Sequence, residues 1–190
     1  GPRALGCRSI LADARNPEMQ KKLNLKIKYR EGFRPFAPSV LAEASKDFFD
    51  LDIESPYMLF VSSILENRKD KLSDDSKSKN LWDKLYTKKS DIPSVTHVDY
   101  SARVQTVHKE TNPKYWSLIN EFNKLTNYGL VINTSFNVRG EPIVCTPLDA
   151  FKCFMSTEMD YLVINNFVYE KTQQIDFDNK EKWKLKFQMD

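Results

Sequence analysis

Several stretches of this 190-residue sequence gather charged and hydrogen-bonding side chains where a plain core would place apolar ones. In Lys26-Ile27-Lys28-Tyr29-Arg30-Glu31-Gly32-Phe33-Arg34-Pro35, Lys28 and Arg30 stand two residues apart and Arg34 follows beyond a glycine. If this stretch is extended, both cations point to one side, about 7 Å apart. A lysine offers a point charge and an arginine a planar fork, so the pair suits the oxygens of a phosphate ester without a glycine-rich loop. A basic helix end favoured by the helix dipole is the competing reading. A second stretch, Asn133-Thr134-Ser135-Phe136-Asn137-Val138-Arg139-Gly140-Glu141, follows directly on an apolar run over 130–132. Ligands of open α/β sheets bind beyond the carboxyl ends of strands. There, amide and hydroxyl groups can hold a nucleotide's phosphates, sugar or base edge, with Arg139 neutralising charge. An Asn- and Ser-rich turn is the alternative.

A third stretch, His97-Val98-Asp99-Tyr100-Ser101-Ala102-Arg103-Val104-Gln105, alternates in a way that puts Arg103 and Gln105 on one strand face. His97 and Asp99 could act as a base with its orienting acid, as metal ligands, or as a hydrogen-bonded structural pair. The chain has only two histidines, which excludes a multi-His metal site. At the start, Gly1-Pro2-Arg3-Ala4-Leu5-Gly6 brackets Pro-Arg between glycines. Such a tight turn exposes backbone N–H groups and one guanidinium, or serves only as a surface turn. No GxGxxG, P-loop, HExxH or GxSxG pattern occurs, which argues against a Rossmann enzyme, a P-loop kinase, a zincin and an α/β-hydrolase. Nothing identifies a covalent nucleophile, so any chemistry rests on positioning and on charge stabilisation at phosphates.

These stretches need elements to hold them. Asn16-Pro17 reads as a helix start, with the helix ending near 29–32. Residues 36–41 read as a short strand, 44–51 as one or two helical turns, and the apolar run 57–65 as a buried strand. The charged span 66–91 reads as a solvated loop or insertion with a helical turn near Trp82. Alternation over 102–107 predicts one strand. Asn112-Pro113 opens a helix whose apolar stripe is Tyr115, Leu118, Ile119, Phe122 and Leu125, with Gly129 as its stop. A strand over 130–133, a helix from Thr146-Pro147 and a hairpin turning near Asn165-Asn166 complete the set. The tail beyond Lys171 is polar, with a terminal helix near Trp183. Helices and strands mix without strict alternation, which predicts an α/β fold on a mixed, twisted sheet.

Composition is that of an ordinary globular domain, 41% hydrophobic and 29% charged. The 29 basic against 26 acidic residues leave +3, too little to argue for nucleic acid. No apolar run approaches the roughly 20 residues of a membrane span, and no signal peptide is visible. Cys7, Cys145 and Cys153 form no CxxC pair, which fits a reduced, cytoplasmic setting with all three structural. A chain that opens on Gly inside a turn reads as a piece of a longer polypeptide.

Taken in order, GPRALGCRSILADAR, KYREGFRPFAPSV, THVDYSARVQTV and NTSFNVRGEPIV resemble the C-terminal region of the O-carbamoyltransferases of nodulation-factor (NodU-like) and antibiotic biosynthesis. The match runs from Gly1 to about Tyr169, interrupted by the charged span. The resemblance implies a YrdC-like α/β fold, a twisted and mostly mixed sheet flanked by helices around a basic cavity. It implies a domain over 1–170 with 66–91 as a loop or insertion, a polar extension over 171–190, and a larger N-terminal domain elsewhere in the polypeptide. The implied activity is binding of ATP with Mg²⁺ and of carbamoyl phosphate to form carbamoyl-adenylate. The N-terminal domain, of actin-like ATPase type with its own bound metal, then passes the carbamoyl group to a substrate hydroxyl.

By position, Lys28 and Arg30 resemble the Lys-x-Arg pair that holds phosphate oxygens, and Ser135 and Asn137 the Ser/Asn nucleotide loop. Arg103 and Arg139 match arginines for carbamoyl phosphate or the α-phosphate, with Arg34, Asn133, His97 and Arg3 in support. Catalytic residues, Mg²⁺ ligands and the carbamoyl acceptor are not specified. Two positions depart from the pattern: Tyr100 stands where a small residue, often Gly, is expected, and Cys7 where Asn is common. A non-catalytic nucleotide- or RNA-binding module of the same fold is the alternative. The small net charge, and the lack of stacking aromatics beside the basic motifs, argue against nucleic acid.

Overall fold

The computed structural model describes residues 3–70 and 88–175. The Gly1-Pro2 start of the first turn, the helical turn near Trp82, the terminal helix near Trp183 and most of the charged span lie outside the described residues. Two compact units emerge, Gly1–Gln20 with Phe33–Ser135, and Lys21–Gly32 with Phe136–Asp190.

The first unit is built on four strands: β1 (Ser9–Ala12), β2 (Ala37–Leu41), β5 (Gln105–Val107) and β6 (Leu130–Ser135). Their order is β1-β6-β2-β5. β6 runs antiparallel to both β1 and β2, while β2 and β5 are parallel, so the sheet is mixed and the fold is α/β, as expected. All five residues of β2 are buried, which matches its central place. Pro38 is tolerated there because pairing with β5 begins one residue later, at Ser39↔Gln105.

The single strand expected over 102–107 is two. β4 (Ser101–Arg103) pairs with β3 (Val61–Ser63), and β5 joins the main sheet. The break falls at Val104, whose N–H donates to Phe60 O at 3.1 Å and whose carbonyl accepts from Ser55 Oγ at 2.7 Å. Arg103 and Gln105 therefore belong to different sheets. The buried strand expected over 57–65 also shrinks to β3. Met58 takes a left-handed φ of 57°, which ends extended structure there. Tyr57, Leu59, Phe60 and Val61 are exposed.

Helix α2 (Pro113–Thr126) covers the sheet through Tyr115 and Ile119, which pack with Leu41, Val107 and Val131. Trp116 and Phe122 flank that cluster, whereas Leu118 and Leu125 face outward, so the buried stripe is narrower than expected. The helix stops at Asn127, which adopts φ 61°, rather than at Gly129. Gly129 serves contact instead: a Cβ there would sit 3.2 Å from Ala44 and 3.3 Å from Leu41, and its carbonyl accepts from Leu41 N at 2.9 Å. The two ends of the charged span meet. Lys69 and Ser90 form an antiparallel bridge, and Arg68 pairs with Asp91 at 2.7 Å while its guanidinium lies 4.3 Å from the Phe48 ring.

The helix that opens after Asn16 is regular only as α1 (Met19–Lys22) and widens to a π-helix over Leu23–Lys28. In the second unit, α3 (Pro147–Ser156) begins with the expected device. Thr146 Oγ1 accepts from Asp149 N at 3.1 Å and Asp149 Oδ2 accepts from Thr146 N at 2.9 Å, a reciprocal capping box. The hairpin β7 (Tyr161–Ile164) and β8 (Phe167–Glu170) turns at Asn165, φ 54°. Among the described residues, no helix is long and apolar enough to cross a membrane. Cys7, Cys145 and Cys153 are all free thiols, but only Cys153 is buried, so the expectation that all three are structural fits Cys153 alone.

Gly6 tests how tightly the first turn is built. Its φ is 96°, and a Cβ would lie 2.2 Å from a Tyr115 ring carbon. Strain and overpacking together predict that Gly6→Ala costs about 2–4 kcal/mol, measured by urea unfolding.

Candidate functional site

The residues singled out in the sequence fall into two groups, one in each unit. In the first unit Arg103 ends β4, and its Nε is buried with no hydrogen-bond acceptor. Burial lowers its affinity for a proton, and the guanidinium of Arg3 nearby lowers it further. Two like charges beside a donor with no acceptor form an arrangement that an anion completes. Burial also holds His97 below its ordinary range. Asp99 opposes that shift and Arg103 adds to it, so His97 is neutral at neutral pH. Asp99 is not the orienting acid of a His97 dyad in any hydrogen-bonded sense. Its Oδ1 accepts from Ser101 Oγ at 2.6 Å and Ser101 N at 3.1 Å, and these bonds keep its carboxyl ionised.

Tyr100, the departure from the expected small residue, has φ 61°. Glycine enters that region without cost, whereas a side chain is strained there, which explains why a small residue suits the corner. The corner itself is closed by Tyr100 N donating to His97 O at 3.1 Å and His97 N donating to Ser101 O at 2.9 Å.

Asn133 turns inward. Its Nδ2 donates at 2.9 Å both to Ser39 Oγ and to Gln105 Oε1, and Ser39 Oγ donates to Gln105 Oε1 at 2.6 Å. Gln105 Nε2 in turn donates to Leu5 O at 3.3 Å, and so fastens the turn that carries Arg3. Asn133 and Gln105 thus hold strands and a loop in place rather than face a ligand. Ser39 and Gln105 carry this network and were not singled out as a pair; the available signal was two polar residues inside runs that otherwise read as buried strand. Ser135 ends β6 opposite Ser9, half-buried, and Arg34 is exposed, its carbonyl accepting from Gln20 Nε2.

The second group is closer knit. Lys28 is only 5% exposed, and its Nζ donates to Asn137 O at 2.8 Å and to Asn137 Oδ1 at 2.7 Å. Burial pulls its pKa down to about 7, and Arg30 adds to the fall. The stretch is not extended, because Lys28 ends the π-helix and Tyr29 takes φ 48°. Arg30 Nε donates to Asn24 Oδ1 at 2.6 Å, and Asn24, fully buried, also donates to Gly32 O. Asn24 is the organiser that the sequence reading missed; an Asn inside the apolar run Leu23-Asn24-Leu25 was its only signal. Asn137 spends its Nδ2 on Glu141 O at 2.7 Å, so its amide is engaged at both ends and positions Lys28. The turn closes through Gly140, φ 78°, with Glu141 Oε2 accepting from Val138 N at 3.2 Å. Burial raises the Glu141 carboxyl and, more strongly, the Cys153 thiol, which leaves that thiol inert. Arg139 is half-exposed, 3.9 Å from Glu31, and its N–H reaches Lys28 O at 3.3 Å.

Lys28, Arg30, Asn137 and Arg139 therefore come together, as do Arg3, Arg103 and His97. Within each unit, a gathering of cations of this kind suits an anion. Among the described residues, no group of three or more His, Cys, Asp or Glu is placed to hold a metal ion. The family model for the carbamoyltransferase C-terminus matches residues 1–171. The chain belongs to that family. An uncharacterized protein of Synechocystis is 56% identical over the whole chain, which covers 31% of that relative. Nodulation protein NolO of Bradyrhizobium diazoefficiens is 41% identical over 90% of the chain and 28% of its own length. Nodulation protein U of Sinorhizobium fredii is 41% identical over 74% of the chain and 21% of its own length. The chain thus spans less than a third of the length of these relatives.

Lys28 gives the unit a pH signature. Between about pH 7 and its ordinary 10.5, the unfolded chain keeps a proton that the folded chain has released, so stability rises with pH across that window. Lys28→Met should remove this slope, up to about 1 kcal/mol per pH unit, in chemical unfolding between pH 7 and 10.

Proposed function

We propose that this chain is the carbamoyl-phosphate- and nucleotide-handling domain of a cytoplasmic O-carbamoyltransferase. It binds ATP with Mg²⁺ and carbamoyl phosphate, and forms carbamoyl-adenylate. A longer polypeptide carries an actin-like ATPase-type domain with its own metal and delivers the carbamoyl group to a hydroxyl. Family membership supports the carbamoyl chemistry, and the length of the relatives supports a further domain.

The observation that carries the phosphate reading is the buried Arg103 Nε without an acceptor beside the Arg3 guanidinium. A bound phosphate oxygen supplies the missing acceptor and screens the two cations from each other. The second unit has a cationic group of its own, Lys28 held on Asn137 with Arg30 acting on it. Mg²⁺ would neutralise charge on the phosphates of ATP when bound. The protein's own contribution is to fix cations and donors in advance, so that little reorganisation accompanies the reaction. In this reading, transfer to the alcohol belongs to the remainder of a longer polypeptide.

Calorimetric titration with carbamoyl phosphate and with ATP and Mg²⁺ tests the proposal. Arg103→Ala should weaken phosphate binding by about 1.5–3 kcal/mol, the worth of hydrogen bonds to a charged group. Unchanged affinity in that variant, or carbamoylation of an alcohol by this chain alone, would overturn the assignment.

A further inference from the structure

Asn112 stands at the N-cap of α2, yet its side chain makes no capping bond to that helix. Its Nδ2 donates instead to the Leu5 carbonyl at 3.4 Å, and Gln105 Nε2 donates to the same oxygen at 3.3 Å. Three residues into the helix, the Tyr115 ring closes on the next residue of the turn, Gly6, where a Cβ would lie 2.2 Å from a ring carbon. The first turn of α2 thus grips the Leu5-Gly6 pair twice, by an amide and by a ring.

The pair needs that grip. Leu5 takes φ 49° and Gly6 φ 96°, two left-handed residues in succession. Glycine enters that region freely, but the Cβ of a leucine crowds the following carbonyl there. Cys7 N donating to Ala4 O at 2.9 Å and Gly6 N donating to Ser9 Oγ at 2.9 Å fold the turn on itself and on the start of β1. The bonds that set its place against the rest of the sheet and α2 are those to the Leu5 carbonyl. A carbonyl oxygen accepts along two lone-pair directions, so a pair of amides fixes the orientation of the Leu5-Gly6 peptide. Arg3 lies two residues before Leu5. Arg103, with its buried Nε lacking an acceptor, lies two residues before Gln105.

We infer that Asn112 is a positioning residue for the anion site of Arg3 and Arg103: its amide holds the strained Leu5-Gly6 turn in the conformation that presents Arg3 beside Arg103. This rests on the phosphate reading proposed above. Gln105 shares the task, but its Oε1 also accepts from Ser39 Oγ and Asn133 Nδ2 within the core. Asn112 is therefore the member whose replacement leaves the sheet intact. Without its amide the turn relaxes, and the Arg3 guanidinium must be ordered anew when an anion binds.

The test is calorimetric titration of inorganic phosphate and of carbamoyl phosphate into the whole chain and into Asn112→Ser, Arg3→Ala and the double variant. Serine is uncharged and caps helices about as well as asparagine, but it is too short to reach Leu5. Asn112→Ser should keep the urea midpoint close to the parent's while binding of both anions weakens severalfold. In the Arg3→Ala background the same replacement should change affinity little, because groups that act through one another are not additive. Equal affinity in Asn112→Ser, or an equal loss with and without Arg3, overturns the inference. Anion binding by the parent that survives Asn112→Ser unchanged sinks this inference alone. A parent chain that binds neither anion sinks the functional reading and this inference together.

Discussion

Three strands of the main sheet are joined by a side-chain knot at which β2, β5 and β6 meet. Ser39, Gln105 and Asn133 are each under 5% exposed, and they share one amide oxygen and one amide nitrogen among them. Inside a core, such a set is stabilising only when every member is satisfied, because a buried donor left alone costs about 1–3 kcal/mol. The knot fixes the register of a parallel and an antiparallel pairing at once. Through Gln105 Nε2 it also reaches the Leu5 carbonyl and hence the turn bearing Arg3. The turn bearing Arg3 is thus placed by polar contacts made inside the core.

Much of this organisation was readable in the sequence, and the misses have physical causes. Capping signals transferred well: Thr146, Asn112-Pro113 and Asn165 stand where helices start or the hairpin turns. Alternation over 102–107 was genuine, yet alternation cannot report that a strand changes partner at Val104. The bond from Val104 N to Phe60 O that redirects it is long-range. The run 57–65 was apolar without being buried, since hydrophobicity alone does not reveal that Met58 turns left-handed. Among the candidate site residues, the cations were legible by type. The roles of Asn133 and Asn137 were not, because an amide that grips a phosphate and one that grips a neighbouring lysine or glutamine look alike in a sequence.

The two cationic groups differ in how they hold charge. Arg103 stays protonated at any physiological pH and leaves its unmet donor as a standing demand for an anion. Lys28 can instead shed its proton, so its charge depends on what approaches.

The neck formed by Lys69↔Ser90 and the Arg68–Asp91 pair clasps two stretches of chain together. The clasp also rests on the Phe48 and Tyr128 rings through the Arg68 guanidinium, which ties it to the core. It therefore works as a clamp: the chain is held at a fixed separation where residues 68–69 and 90–91 meet, and a change that loosens Arg68 would release both strands of the bridge together.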